Sequence, residues 1–331
     1  MISTRPDSVL SAIVAPPQKQ NKMFAAHVGA NFYTSIDAAL ESERVDAAII
    51  SSPNAFHFEQ TMRCIDAGTP VLVEKPLTDN IESARLLVEA SESRQVPVLV
   101  GHHRTYSPLL DATRGFLESD SFGRLVAVQG SALFYKPSHY FREGEWRTKI
   151  GGGPILINLI HEVGFMRSLC GEIKSVCAVA RNNVRQFEVE DTVAIAFEFI
   201  NGALGTFLLS DAAASSKSWE MTSGENPAYP WFPNENCYHF AGTNGSLDFP
   251  SMRARCYAAG KDASWWTGFD HHDISLTREN PLKLQLDHFV KVVRDKVRPK
   301  VTARDGYHNM LVIDAIRRSI MSGAVVAVPS Y

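Results

Sequence analysis

Three groups of residues carry chemistry-bearing types at telling spacings. The first is Glu74-Lys75-Pro76, which closes the apolar run 70–74 (PVLVE). A lysine at the carboxyl edge of a buried parallel strand stands where such sheets open their ligand crevice, and Pro76 biases Lys75 toward an extended backbone. A cation fixed there can stabilise a developing alkoxide or assist proton transfer; the plain alternative is a solvated lysine at a strand end. The second group is Ser51-Ser52-Pro53-Asn54 with His57, after the apolar run 46–51. Asn54 is placed to cap the next helix, whose N-terminus is a natural phosphate site. Capping alone, with His57 merely packed, is equally open. The third is the run Gly151-Gly152-Gly153-Pro154, which opens a helix carrying Asn158 and His161. Three residues apart, these share a helical face among Ile and Leu. A histidine can remove an alcohol proton near neutral pH; a hydrogen-bonded buried His–Asn pair is the alternative.

The elements that must position these groups follow two rhythms. Residues 9–15 (VLSAIVA), 46–51 (DAAIIS), 70–74 and 97–101 (PVLVG) predict buried strands. Helices are predicted between them: 18–28, 56–67 stopped by Gly68, and one capped by Asn80 with Ile81, Ala84, Leu87 and Val88 on one face. Continuous apolar strands separated by amphipathic helices make a parallel sheet covered on both faces, the doubly wound dinucleotide-binding pattern. After about residue 105 a helix bearing Leu109, Leu110, Thr113, Phe116 and Leu117 leads into long strands at 125–136, 173–181, 191–200, 203–212 and 238–241. Asn201-Gly202 and Asn244-Gly245 are hairpin signals. Helices over 284–297 and 305–322 close the chain. The expected fold is therefore α/β: an incomplete Rossmann-like domain over 1–104, then an α+β domain over 105–331 with a large, mostly antiparallel, open-faced sheet. The late helices are expected to pack back on the first domain.

Composition excludes several classes. The chain has 331 residues, 33 Lys+Arg against 36 Asp+Glu and a formal charge of −3, so nothing electrostatic points to nucleic acid or an anionic membrane. No apolar run approaches the ~20 residues of a membrane helix. Five scattered cysteines without a C-x-x-C pair fit neither a zinc ribbon nor a disulfide scaffold, and a cytoplasmic location is expected. Asp7 and the short run 9–15 argue against a signal peptide. No metal site is expected, because His102-His103 and His271-His272-Asp273 lack a known zinc spacing.

Taken in order, the motifs resemble the Gfo/Idh/MocA family of glucose-fructose oxidoreductase and inositol dehydrogenase. They are S-P-N-x-x-H (Ser52 to His57), V-E-K-P-L (Val73 to Leu77), G-H-x-R (Gly101 to Arg104), F-G-R-L-V-A-V-Q-G (Phe122 to Gly130), Trp146-Arg147, the triple glycine with His161, and G-T-x-G-S-L (Gly242 to Leu247). Each is weak alone; their order and spacing are specific, and they run from about residue 8 to the C-terminus. The resemblance implies an NAD- or NADP-dependent oxidoreductase acting on a sugar, cyclitol or related polyol. It implies Lys75 and His161 as catalytic residues. It implies a cofactor site of Ser52, Pro53, Asn54, His57, Glu74, Lys75, Arg104, Trp146 and Arg147, and a substrate wall of Tyr135, Lys136, Tyr140, Asn158 and His161. Hydride would pass from a substrate C–H to nicotinamide while His161 or Lys75 takes the hydroxyl proton.

The departures from that pattern matter. Ile157 stands where many members carry Asp, with Asn158 one place later, and Gly164 replaces a further common Asp. Ala15, followed by Pro16, Pro17, Gln18 and Lys19, stands where an acidic residue usually holds the ribose of NAD, which leans the expectation toward NADP. No G-x-G-x-x-G occurs near the N-terminus. The family begins with a strand and that turn, so strands 9–15 and 46–51 are expected to lack a shared neighbour, and the chain is expected to be truncated relative to the functional protein. About 15–25 upstream residues, one strand, a turn and part of a helix, would complete it. The chain as given is then expected to bind NAD(P) poorly. A non-catalytic ligand sensor, regulator or decayed enzyme on the same fold is the alternative. Trp219-Glu220, Glu225, Tyr229-Pro230-Trp231 and Trp265-Trp266 could line a carbohydrate pocket or a subunit contact. The open sheet face predicts a homodimer or homotetramer.

Overall fold

The computed structural model describes every residue except 1, 3, 4, 259 and 331, and the chain divides into two units. The first comprises Met1–His102 and Lys283–Tyr307; the second comprises His103–Leu282 and His308–Tyr331.

The first unit alternates strand and helix: β1 (Ala12–Val14), α1 (Lys19–Val28), β2 (Asn31–Tyr33), α2 (Ile36–Ser42), β3 (Ala48–Ile50), α3 (His57–Asp66), β4 (Val71–Val73), α4 (Ile81–Arg94) and β5 (Val98–Val100). All its strand pairs are parallel. β4 and β5 both read VLV and are buried at every position, as expected for strands covered on both faces. Asn80 caps α4 as expected, its Oδ1 accepting from Ser83 N at 2.9 Å. The strands do not form one sheet. β1 pairs β2 in one, and β3, β4 and β5 form another. β1 and β3 are therefore unpaired with each other, which matches the expectation that they lack a shared neighbour. Ile49 in β3 is 42% exposed although its neighbours in β4 are buried. Elements β2 and α2 escape the sequence reading, because NFY is too short to show a period and α2 spans only two turns.

The second unit is built on one nine-stranded sheet. Its elements are α5 (Pro108–Leu117), β6 (Leu125–Leu133), α6 (Ser138–Arg142), α7 (Ile160–Cys170), β7 (Ile173–Arg181), β8 (Thr192–Phe199), β9 (Leu204–Ser210), α8 (Trp219–Thr222), β10 (Tyr238–Gly242), β11 (Gly245–Phe249), β12 (Arg253–Tyr257) and β13 (Phe269–Asp273). Helix α9 (Pro281–Asp295) falls mainly in the first unit, α10 (Ala303–Ser322) mainly in the second, and β14 (Val326–Ala327) ends the sheet. The strand order is β13-β12-β11-β10-β6-β9-β8-β7-β14, antiparallel throughout except for the β6–β9 pair. Asn201-Gly202 turns β8 into β9 as expected; the second hairpin is present too, but its turn is Thr243-Asn244, one residue before the expected Asn244-Gly245, with Gly245 opening β11. β12, β13 and β14 are additions to the sequence reading. β13 (FDHHD) is exposed at every residue and carries no apolar alternation to betray it.

One sheet face is buried. Phe165 of α7 packs its ring against Trp219, Tyr238 and Phe249 at centroid distances of 5.3, 4.7 and 5.1 Å. Trp219 thus belongs to the core, whereas Trp265 and Trp266 are 85% and 86% exposed. The other face presents Val126, Val179, Leu204 and Leu208 to solvent. No helix among the described residues is long and apolar enough to cross a membrane.

Candidate active site

In the first unit the turns after β3, β4 and β5 gather the predicted residues. His57 is fully buried, with its Nδ1 2.8 Å from Pro76 O and its Nε2 2.8 Å from Ser52 O. The ring ties the turn after β3 to the turn after β4, the nitrogen that carries the proton donating to the carbonyl it faces. Ser52 Oγ donates to Gln60 Oε1 at 2.7 Å. Asn54 does not cap α3: residues 54–56 form a 3₁₀ turn, the residue preceding α3 is Phe56, and neither element has a side-chain cap. The extra turn displaces Asn54 from the capping position. Glu74 and Lys75 are half-buried at the end of β4. Burial pushes the Glu74 carboxyl above its ordinary value, opposed by the Lys75 charge. Gly101 comes so close that a Cβ there would sit 3.1 Å from Glu74 Cα and Oε1. Ser52, Glu74, Lys75 and Gly101 thus line the carboxyl ends of three parallel strands, the place where such sheets take a nucleotide. The hydroxyl, carboxyl and ammonium of this set are group types that ribose hydroxyls can bond; no G-x-G-x-x-G turn occurs in the first unit's sequence.

In the second unit the helix bearing Asn158 and His161 begins irregularly. Residues Ile155–Leu159 form a π-helical turn before α7, and Ile155 N donates to Glu190 Oε1 at 2.9 Å. Single π turns recur at functional sites. Gly153 has φ +79°, and a Cβ there would lie 2.7 Å from Glu190 Oε1, so the glycine admits the carboxylate that holds the helix entrance. His161 is buried, its ring edge-on to His103 at 5.2 Å. Asn158 Oδ1 accepts from Lys136 Nζ at 2.7 Å. Lys136 is paired at 3.5 Å with Asp211, which also takes Arg185 Nε at 2.8 Å. Tyr140 carries two cations: Arg147 lies 3.9 Å and Lys136 Nζ 5.0 Å from its ring centroid. Tyr135 and Trp146 are exposed. Lys136, Tyr140, Arg147 and Asn158 thus converge.

Arg104 is buried and bridges two carboxylates, Glu162 through Nη1 and Glu220 through Nη2. Tyr238 Oη donates to the other oxygen of Glu162. Burial raises the Glu162 carboxyl while Arg104 opposes the rise. This network locks the residue next to His161 to the residue next to His103. Glu162, Tyr238, Asp211 and Arg185 were missed by the sequence reading, and Glu220 was singled out there only as part of a pocket-or-interface segment, without its partner Arg104. Their partners lie 26 to 116 residues away, and no spacing rule reaches that far.

The sequence carries two family domains. Residues 1–102 match the oxidoreductase family with the NAD-binding Rossmann fold, and residues 111–248 match the Gfo/Idh/MocA C-terminal domain. This chain belongs to the Gfo/Idh/MocA family. A 1,5-anhydro-D-fructose reductase of Ensifer adhaerens is 30% identical over 176 residues, covering 53% of this chain and 53% of that one. An inositol 2-dehydrogenase of Corynebacterium glutamicum is 33% identical over 123 residues, covering 37% and 36%. The matches thus span about half the length, or less, of these curated relatives. A levoglucosan dehydrogenase, solved with NADH and levoglucosan, superposes with a TM-score of 0.78 at 19% identity, covering 98% of this chain and 91% of that one. That likeness places this Gfo/Idh/MocA chain in the same fold.

Proposed function

We propose that this chain is an NAD(P)-dependent oxidoreductase acting on a C–OH group of a sugar, cyclitol or related polyol. The observation that carries the reading is the pairing of the two family domains with Lys75 at the carboxyl end of β4 and His161 buried in α7. Ser52, Pro53, Asn54, His57, Glu74 and Lys75 of the first unit are assigned to the nucleotide, with Trp146 as a further position of the family; Arg104, buried between Glu162 and Glu220, is a positioning residue instead. The nicotinamide supplies hydride acceptance when bound. The chain's own groups do the rest. Lys75 stabilises alkoxide character, His161 takes the hydroxyl proton, and Tyr135, Lys136, Tyr140 and Asn158 orient the substrate. Ile157 removes the usual carboxylate, so the proton falls to His161 or Lys75. Ala15 in place of an acidic residue favours NADP. The exposed apolar sheet face supports a homodimer or homotetramer, and the cysteine usage supports a cytoplasmic location.

The test is the reduced-nicotinamide absorbance band in a panel of polyols and sugars with each cofactor raised to saturation, because weak cofactor binding is expected. Growth of that band with at least one polyol, and its loss in Lys75→Ala, is the expected result. Sugar binding without any growth of the band, with either cofactor, assigns the chain to the ligand sensors instead.

A further inference from the structure

Positive charge accumulates just past the end of β6. The Lys136 side chain is 11% exposed, and its ammonium has three donors, of which Asn158 takes one and Asp211 a second, longer one, leaving the third. Among the described residues the only carboxylate within ion-pair range, Asp211, is shared with Arg185 and stands 3.5 Å from Lys136 against 2.8 Å from Arg185. Arg147 has no carboxylate partner among the described residues. One of its Nη groups donates to the Tyr140 carbonyl, and its Nε is buried with no hydrogen-bond partner. Because both cations lie over or beside the Tyr140 ring, they are no more than about 9 Å apart. Glu220, the next carboxylate acting on Lys136, is spent on Arg104 through Oε1, while its Oε2 is buried without a partner. Unfilled donors on two cations, together with one unfilled acceptor, describe a site built for an anion that also carries hydroxyls.

We infer that the substrate is a sugar acid, its carboxylate held by Lys136 and Arg147. The inference rests on the proposed oxidoreductase reading only for calling the ligand a substrate. A carboxylate suits the site better than a phosphate dianion, because Asp211 already offsets part of the charge on Lys136. Burial lowers the Lys136 ammonium from its ordinary value, opposed by Asp211, and a ligand carboxylate would reverse that shift. Arg147 is thereby assigned to the substrate rather than to the nicotinamide end.

The experiment is titration calorimetry of the full chain with D-glucuronate, D-galacturonate and D-gluconate. D-glucose and D-galactose serve as neutral partners, and D-glucose 6-phosphate as the phosphate arm. At least one acid is expected to bind about tenfold or more tighter than its neutral counterpart, the scale of one charge-assisted bond. The acid-to-neutral ratio should fall to near one in Lys136→Met and return in Lys136→Arg. A purely structural role for Lys136 would weaken acid and neutral sugars alike and leave the ratio unchanged. Equal or tighter binding of neutral sugars, no binding of any acid, or tighter binding of the phosphate overturns the inference. The nicotinamide assay on the same ligands separates the two claims. Acid preference without reduction sinks only the oxidoreductase reading, and reduction of neutral sugars without acid preference sinks only this one.

Discussion

Replacing Glu225 by Gln should remove the part of the second unit's pH dependence of stability that this carboxyl carries. Ser107 Oγ donates to Glu225 Oε1, and Trp219 Nε1 donates to Oε2 at 3.1 Å. Burial pushes this carboxyl from 4.5 up to about 7, against those two bonds. The folded value is the higher one, so the folded chain binds more protons than the unfolded chain between about pH 4.5 and 7. The stability that Glu225 contributes is then greatest below about pH 4.5 and falls as pH rises toward 7. At 1.36 kcal/mol per unit, the loss is about 3 kcal/mol. A glutamine keeps both bonds without the charge, its amide N–H donating to Ser107 Oγ and its carbonyl accepting from Trp219. Glu225→Gln should therefore match the parent near pH 4.5 and exceed it at pH 8 by about 3 kcal/mol, roughly 4 °C for the unfolding entropy of a chain this long. Thermal unfolding followed by near-ultraviolet circular dichroism at a series of pH values reads this directly. Parallel pH profiles for parent and variant between pH 4.5 and 7 would refute the reasoning, as would equal destabilisation at every pH.

Three further substitutions follow from the same structure. Lys75→Ala should lower turnover about 10²-fold or more with little change in cofactor affinity, measured by steady-state kinetics and cofactor titration. His161→Ala should remove the acidic limb of the pH–rate profile, whereas Asn158→Ala should act chiefly on KM; normal kinetics in both would make the pair structural. Gly130→Ala would place a Cβ 2.5 Å from Phe207 Cδ2 and 2.6 Å from Tyr238 Cε1 in the crowded sheet core. It should cost about 1–3 kcal/mol in chemical denaturation, and a neutral result would show that the rings give way freely.

Elements with a strong local period were legible. VLV at β4 and β5 announced strands buried on both faces, Asn80 announced a cap, and Asn201-Gly202 a hairpin. What escaped was set by context. The 3₁₀ turn over 54–56 took Asn54 out of its capping position, and the π turn over 155–159 altered the helical phase between Asn158 and His161. A three-residue strand such as β2 has no period to detect, and β13 has polar residues where a period would show. At the site, Lys75 and His161 were marked by their motifs. The Glu162–Arg104–Glu220 bridge was not, because buried charges are paired across the fold rather than along the chain.

The central claim is hydride transfer from a carbinol carbon. It is tested most directly by incubating the chain with oxidised cofactor and a sugar acid or polyol deuterated at that carbon, then weighing the reduced cofactor by mass spectrometry. The account predicts reduced cofactor carrying the deuterium, with the label lost when the substrate is unlabelled and the solvent is D₂O. Reduced cofactor that takes its new hydrogen from solvent, or binding of both ligands with no label transferred, would contradict it.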